Sequence, residues 1–145
     1  MNYTRIAVAA VVATVVDAAF GFVVWGKVLS GEFARYPEIY RPGDDMSAMP
    51  LMFAAILVAM VLVSWIYAKG YEGGGGLTEG VKFGVVLGLF VAAYESGVNY
   101  GTLRIGKKMA ATYLAGGFAE WLLVGIVIGL VYKPAARAAK RAAGV

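Results

Sequence analysis

Apolar residues in this chain run in long blocks, not in the short alternating or amphipathic stretches with which a soluble domain hides its core. Four blocks reach or approach the roughly 20 residues that a helix needs to cross about 30 Å of hydrocarbon. They are Ile6 to Trp25, Leu51 to Ala68, Val81 to Tyr100 and Met109 to Tyr132. The pattern predicts an all-α fold: an integral membrane four-helix bundle forming one domain over residues 1–145. Its loops are short except for one longer extramembrane loop between the first two helices.

The segments between the blocks support this division. Lys27 to Met49 carries Pro37, Pro42, Gly43, Asp44 and Asp45 among the aromatics Phe33, Tyr36 and Tyr40. A backbone so interrupted would leave polar groups unpaired in hydrocarbon, so it belongs at or above the membrane surface. Pro50 suits the first turn of the second helix. Gly73 to Gly76 make a flexible turn, after which Thr78 offers an N-cap and Glu79 a dipole-compatible charge for the third helix. A phosphate-binding loop would need a Lys-Ser/Thr pair after those glycines, and none follows. Only a short basic turn around Arg104, Gly106, Lys107 and Lys108 separates the last two helices, which should be antiparallel neighbours. Arg5 and the small residues Ala18 and Ala19 give the first block some likeness to a signal peptide. Its apolar run continues through Phe20 to Trp25, so it is expected to be a retained helix.

Composition narrows the chemistry. Charged residues make up 15% of the chain and hydrophobic ones 61%, whereas a soluble domain carries roughly a quarter charged residues. Cysteine and histidine are both absent. That removes disulfides, thiol redox chemistry, Cys/His zinc sites and histidine ligation of haem or chlorophyll-type pigments. No cofactor and no metal site are expected. The net charge of +4 resides beside the apolar spans and makes no aromatic-studded basic face, so nucleic acid is not an expected partner.

Four crossings put both termini and the second loop on one membrane face. That face holds Arg5, Lys69, Lys82, Lys133, Arg137, Lys140 and Arg141; the opposite face holds Lys27, Arg35, Arg41, Arg104, Lys107 and Lys108. The raw bias is weak, but the cations packed into the tail over 133–145 favour cytoplasmic termini. That tail reads as a topology determinant or as a short basic helix lying against anionic headgroups. Trp25 and Trp65, near opposite ends of their helices, suit interfacial anchoring.

Three acids fall inside the spans: Asp17, Glu95 and Glu120. A charge at the bilayer centre costs about 2.5 to 3.5 kcal/mol even on the lenient insertion scale, so each should face protein or water. Helical spacing places them among small residues. Asp17 shares a stripe with Ala10, Thr14 and Gly21; Glu95 and Asn99 continue the face of Gly80, Gly84, Gly88 and Ala92; Glu120 follows Thr112 and Gly116. Trp121, Gly125 and Gly129 form a second stripe on the last helix, which suggests two packing partners. The glycine face of the third helix is open to two readings, a seam within the chain or a contact with another protein. The second helix has only Ser64 as a polar side chain before its Trp65 to Lys69 end, and should face lipid or an apolar partner.

Asp17, Glu95, Asn99 and Glu120 are therefore candidates for an intramembrane polar centre. It would bind a proton or cation, or else fix helix register through hydrogen bonds to Thr14, Asn99, Thr112 or a tyrosine. Counting 1.5 Å per residue puts Asp17 and Glu120 near the midplane and Glu95 toward the opposite leaflet, a pair plus a satellite.

In layout the chain resembles short four-helix bacterial inner-membrane protein families of unknown function, with Phe22-Val23-Val24-Trp25-Gly26-Lys27 closing the first helix and Gly84 to Asn99-Tyr100 in the third. The resemblance implies a multi-pass protein of the bacterial inner (plasma) membrane, with the lipid bilayer and other membrane chains, or a second copy, as partners. Small multidrug-resistance transporters are similar in having four short helices and one acid in the first, with Asp17 the counterpart. They use a glutamate in a more aromatic setting, are shorter and lack the long first loop. The Arg/His/Asn/Glu signature of membrane-bound glutathione-using enzymes is absent, as are the cysteines of quinone-coupled disulfide enzymes. The expectation is an accessory or assembly subunit of a larger membrane complex, without catalytic activity. The alternative is a proton- or cation-coupled small-molecule transporter using its intramembrane carboxylates.

Overall fold

The computed structural model describes residues 1–73 and 75–132, and the basic tail over 133–145 lies outside the described residues. Asn2 starts the first helix by accepting from the Arg5 backbone N–H at 3.1 Å, an N-cap that satisfies one of the free donors of the opening turn. Helix α1 runs Tyr3–Phe20 and continues as a π-helical stretch over Gly21–Val28. After the short α2 (Ser30–Phe33) and an irregular segment come α3 (Met49–Gly70), α4 (Gly76–Thr102) and α5 (Lys107–Tyr132). No strand is present among the described residues. Four helical spans, Tyr3–Val28, α3, α4 and α5, are long and apolar enough to cross a membrane, and the architecture is that of a multi-pass four-helix bundle.

Each span exceeds its hydrophobic block, because flanking polar and glycine residues keep making helical hydrogen bonds beyond the apolar stretch. The largest extension is in α4. Thr78 is not its N-cap: the helix already runs from Gly76, with Gly75 at the cap position and no side-chain cap bond. Packing explains the early start. A Cβ at Gly129 of α5 would collide with the Gly76 carbonyl oxygen and lie 2.6 Å from Gly80 Cα, so the first turn of α4 is built against α5. Pro50 does occupy the first turn of α3.

The helices are not equivalent neighbours. α4 and α5 form the closest pair, and α1 lies against both α3 and α5. The α4 stripe is a seam within the chain: a Cβ at Gly84 would approach Leu122 O to 2.6 Å, and one at Gly80 would approach Gly125 O to 2.8 Å. Gly88 faces Phe118 in the same way, with its carbonyl oxygen at 3.0 Å. Lipid tails are as apolar as leucine, so helices in a bilayer gain by close van der Waals approach, which these glycines permit.

On the other side of α5, Met60, Val63, Tyr67 and Ala68 of α3 pack with Ile6, Ala9, Ala10 and Ala13 of α1 and with Val124, Ile128 and Tyr132 of α5. Leu51, Phe53, Leu57, Val58 and Leu62 of α3 point outward. α3 thus packs on α1 with one face and leaves the other, apolar face exposed. At the N-terminal membrane face the ring of Tyr67 meets Phe83 at 5.2 Å and Tyr132 at 5.8 Å between centroids, closing that end with aromatic edges.

Candidate functional site

The polar centre is built where α1 and α4 meet α5. Asp17 sits on the inward stripe of α1 and is 7% exposed. Glu95 and Glu120 are half-buried on α4 and α5. Helix α1, which carries Asp17, and helix α4, which carries Glu95, both pack against α5, which carries Glu120. The Glu95 carboxylate reaches α5, since a Cβ at Gly117 would lie 3.8 Å from its Oε2, one turn before Glu120. Counting residues along α4 places its backbone toward the opposite face, but a glutamate side chain spans the remaining turn. Among the described residues no group of three or more acidic, histidine or cysteine side chains has metal-ligating geometry.

The hydrogen bonds differ from those the spacing suggested. The Trp25 indole N–H donates to Glu120 Oε2 at 3.0 Å. Thr14 and Thr112, candidates to serve the acids, instead donate to the carbonyls four residues back, Ala10 O at 2.8 Å and Lys108 O at 3.0 Å. In a helix that local acceptor is always within reach of a threonine hydroxyl, which is why it wins. The Asn99 side chain makes no hydrogen bond among the described residues, and neither do the carboxylates of Asp17 and Glu95. Ser96, which the helical spacing did not single out, ties α4 to α5 by donating to Ala110 O at 2.7 Å.

Above the acids lies an aromatic cap. Trp25 also packs within the chain: its ring is half-buried and rests on Gly116, where a Cβ would come within 2.8 Å of Cζ2. The indole centroid is 5.9 Å from that of Tyr113 and 6.1 Å from that of Phe33. Phe33 meets Tyr40 edge-on at 4.9 Å, and the hydroxyl of Tyr113 donates to that of Tyr40 at 2.9 Å. Aromatics that looked like surface residues of the first loop therefore turn inward, because Gly116 leaves room for the indole on which they stack. Trp65, by contrast, is exposed near the end of α3 with the Lys69 ammonium 4.4 Å above its ring.

The cap is fastened by extramembrane contacts. Tyr36 Oη accepts from the Gly106 backbone N–H at 3.0 Å, and the Lys108 ammonium pairs with the Glu32 carboxylate. That pairing and the nearby Arg35 hold Glu32 below its ordinary 4.5. Farther along, Asp45 is held down at about 2 by bonds from Ser47 and Arg41, which close a tight turn at the loop's edge.

Compared with known proteins, the chain matches no family model, no curated protein and no solved structure.

Proposed function

We propose that this chain is a proton- or cation-coupled small-molecule transporter whose binding centre is Asp17, Glu95 and Glu120. The observation that carries the reading is the burial, in whole or in part, of three carboxylates, Asp17, Glu95 and Glu120, on α1, α4 and α5, two of which pack against the third. Negative charges repel strongly where water cannot screen them, and the repulsion is relieved by taking up a proton or a cation. A register-fixing role would need each acid to be paired, yet only Glu120 has a hydrogen-bond donor among the described residues. The layout resemblance supports a bacterial inner-membrane location, and the charge of the 133–145 tail supports cytoplasmic termini.

Proteoliposomes with an entrapped pH dye and an imposed pH gradient test the reading. Asp17→Asn, Glu95→Gln and Glu120→Gln should each abolish the wild-type proton flux. Unchanged flux in all three sinks it.

The subunit reading retains one supporting observation. α4 packs chiefly on α5, leaving Val86, Leu89, Phe90, Tyr94 and Val98 exposed along its other side. Native mass spectrometry after gentle detergent extraction decides between a lone chain and one carrying a stoichiometric partner.

A further inference from the structure

The segment that follows α1 is held in place by partners, not by its own structure. α2 is a single turn of four residues, far too short to be stable alone. What fixes it is a row of contacts to the start of α5: Glu32 to Lys108, Tyr36 to Gly106, and Phe33 and Tyr40 to Tyr113. Most of these lie at the water-exposed end of the bundle, where an ion pair or a phenol contact contributes little and exchanges readily with water. Gly31 lies at the start of the segment and Gly43 just beyond its end, and nothing lies within 4 Å of a Cβ built at either. Beneath it is Trp25, on the π-helical stretch that ends α1, a conformation often found at functional sites. Beneath Trp25 is Glu120. The order from water to the acids is thus strap, indole, carboxylate.

We propose that residues 30–40 form a latched strap that closes the carboxylate centre to the membrane face bearing the first and third loops, with the Trp25 indole as its plug. The inference rests on the centre being a binding site and adds how one entrance to it is controlled. Release of Glu32 from Lys108 and of Tyr40 from Tyr113 frees the strap to swing between its two glycines. Phe33 then leaves the indole edge, and the indole is held only by Gly116, Tyr113 and its bond to Glu120. Solutes from that face gain access to Glu95 and Glu120. With the strap latched the aromatic rings fill that route.

The chain has no cysteine, so one introduced thiol reports access without interference. Glu95→Cys leaves the Trp25 to Glu120 bond in place and puts the thiol under the cap. In lipid nanodiscs its reaction with a charged, membrane-impermeant methanethiosulfonate should be slow. Adding Lys108→Gln and Tyr40→Phe should raise the rate at least tenfold. Lys108 has a 67% exposed side chain, so its loss does not threaten the core. Ser64→Cys, buried on α3 near the other membrane face, serves as the control for general loosening and should stay unreactive in the same double variant. Equal Glu95→Cys rates with and without the latch substitutions would overturn the strap, as would a parallel rise at Ser64→Cys. Labelling needs no transport: proton flux that survives Asp17→Asn, Glu95→Gln and Glu120→Gln alike would remove the transporter reading while leaving a latch-dependent rate intact. The reverse pair of results would remove only the strap.

Discussion

The indole N–H of Trp25 and the carboxylate of Glu120 are joined at 3.0 Å across 95 positions of sequence. The same indole covers Gly116, one turn before Glu120 on α5, so ring packing and hydrogen bond fix each other's geometry. This is the only hydrogen bond to an intramembrane carboxylate among the described residues, and it lies at the junction of the acid centre with its aromatic cap.

Trp25→Phe removes the donor and, with it, the indole atoms Cζ2, Cζ3 and Cη2 that rest on Gly116, so its cost includes both contributions. Hydrogen bonds inside membrane bundles contribute about 0.6 kcal/mol on average and up to about 1.7 kcal/mol, the upper part of the range suiting a carboxylate acceptor. We expect a loss of at least about 1 kcal/mol in reversible unfolding from mixed micelles. An unchanged midpoint would show that the carboxylate gains nothing from the indole.

The α4–α5 seam predicts opposite outcomes for two glycines on one helix. Gly84→Ala would place its methyl 2.6 Å from Leu122 O, a backbone atom that can yield only if the helices separate. Overpacking of this kind costs about 1–3 kcal/mol. Gly97→Ala meets nothing within 4 Å and gains up to about 1 kcal/mol of helix propensity. Thermal unfolding of the two variants in one detergent should move in opposite directions.

The contrast between these glycines also marks what could be read from the chain and what could not. Four spans were legible because bilayer thickness sets a length that Leu51 to Ala68 or Met109 to Tyr132 nearly meets unaided. The stripe of Gly80, Gly84 and Gly88 was legible because four-residue spacing defines a helix face. Its partner was not, since pairing it with Gly125 and Gly129 requires the register between two helices. The acids at Asp17, Glu95 and Glu120 stood out as charges in apolar runs, but Trp25 as the donor to Glu120 did not. An aromatic near a helix end has the composition of a headgroup anchor, and only the space above Gly116 turns it inward. The reach of the Glu95 side chain was likewise invisible to a count of backbone rise.

The strap should loosen in acid. Its ion pair with Lys108, helped by Arg35, holds Glu32 below the ordinary 4.5. A carboxyl with a lowered folded value contributes its stabilisation fully above its ordinary value and loses it as pH falls through the lowered one. Attachment of residues 30–40 should therefore be constant from neutral pH down to about 4.5 and weaken below it. Hydrogen exchange of the strap amides, measured against those of α5 across that window, reads the change. Glu32→Gln should exchange at one elevated level throughout, and a wild-type profile identical to it at neutral pH would contradict the latch.

At the opposite end of the bundle two hydroxyls invite a prediction of the other sign. Ser64 Oγ and Tyr67 Oη are buried on the inward face of α3 without a hydrogen-bond partner among the described residues. Thr14 and Thr112 show that a helix offers a hydroxyl the carbonyl four residues back, and Ser64 does not take it. A buried hydroxyl left unpaired carries a desolvation penalty of about 1–3 kcal/mol, which its removal recovers. Ser64→Ala and Tyr67→Phe change little else, because alanine matches the small residues opposite on α1 and phenylalanine preserves the ring contacts with Phe83 and Tyr132. Each variant should therefore unfold at a higher temperature than the wild type. Destabilisation of both would mean that the two hydroxyls find partners in the membrane, internal water among them.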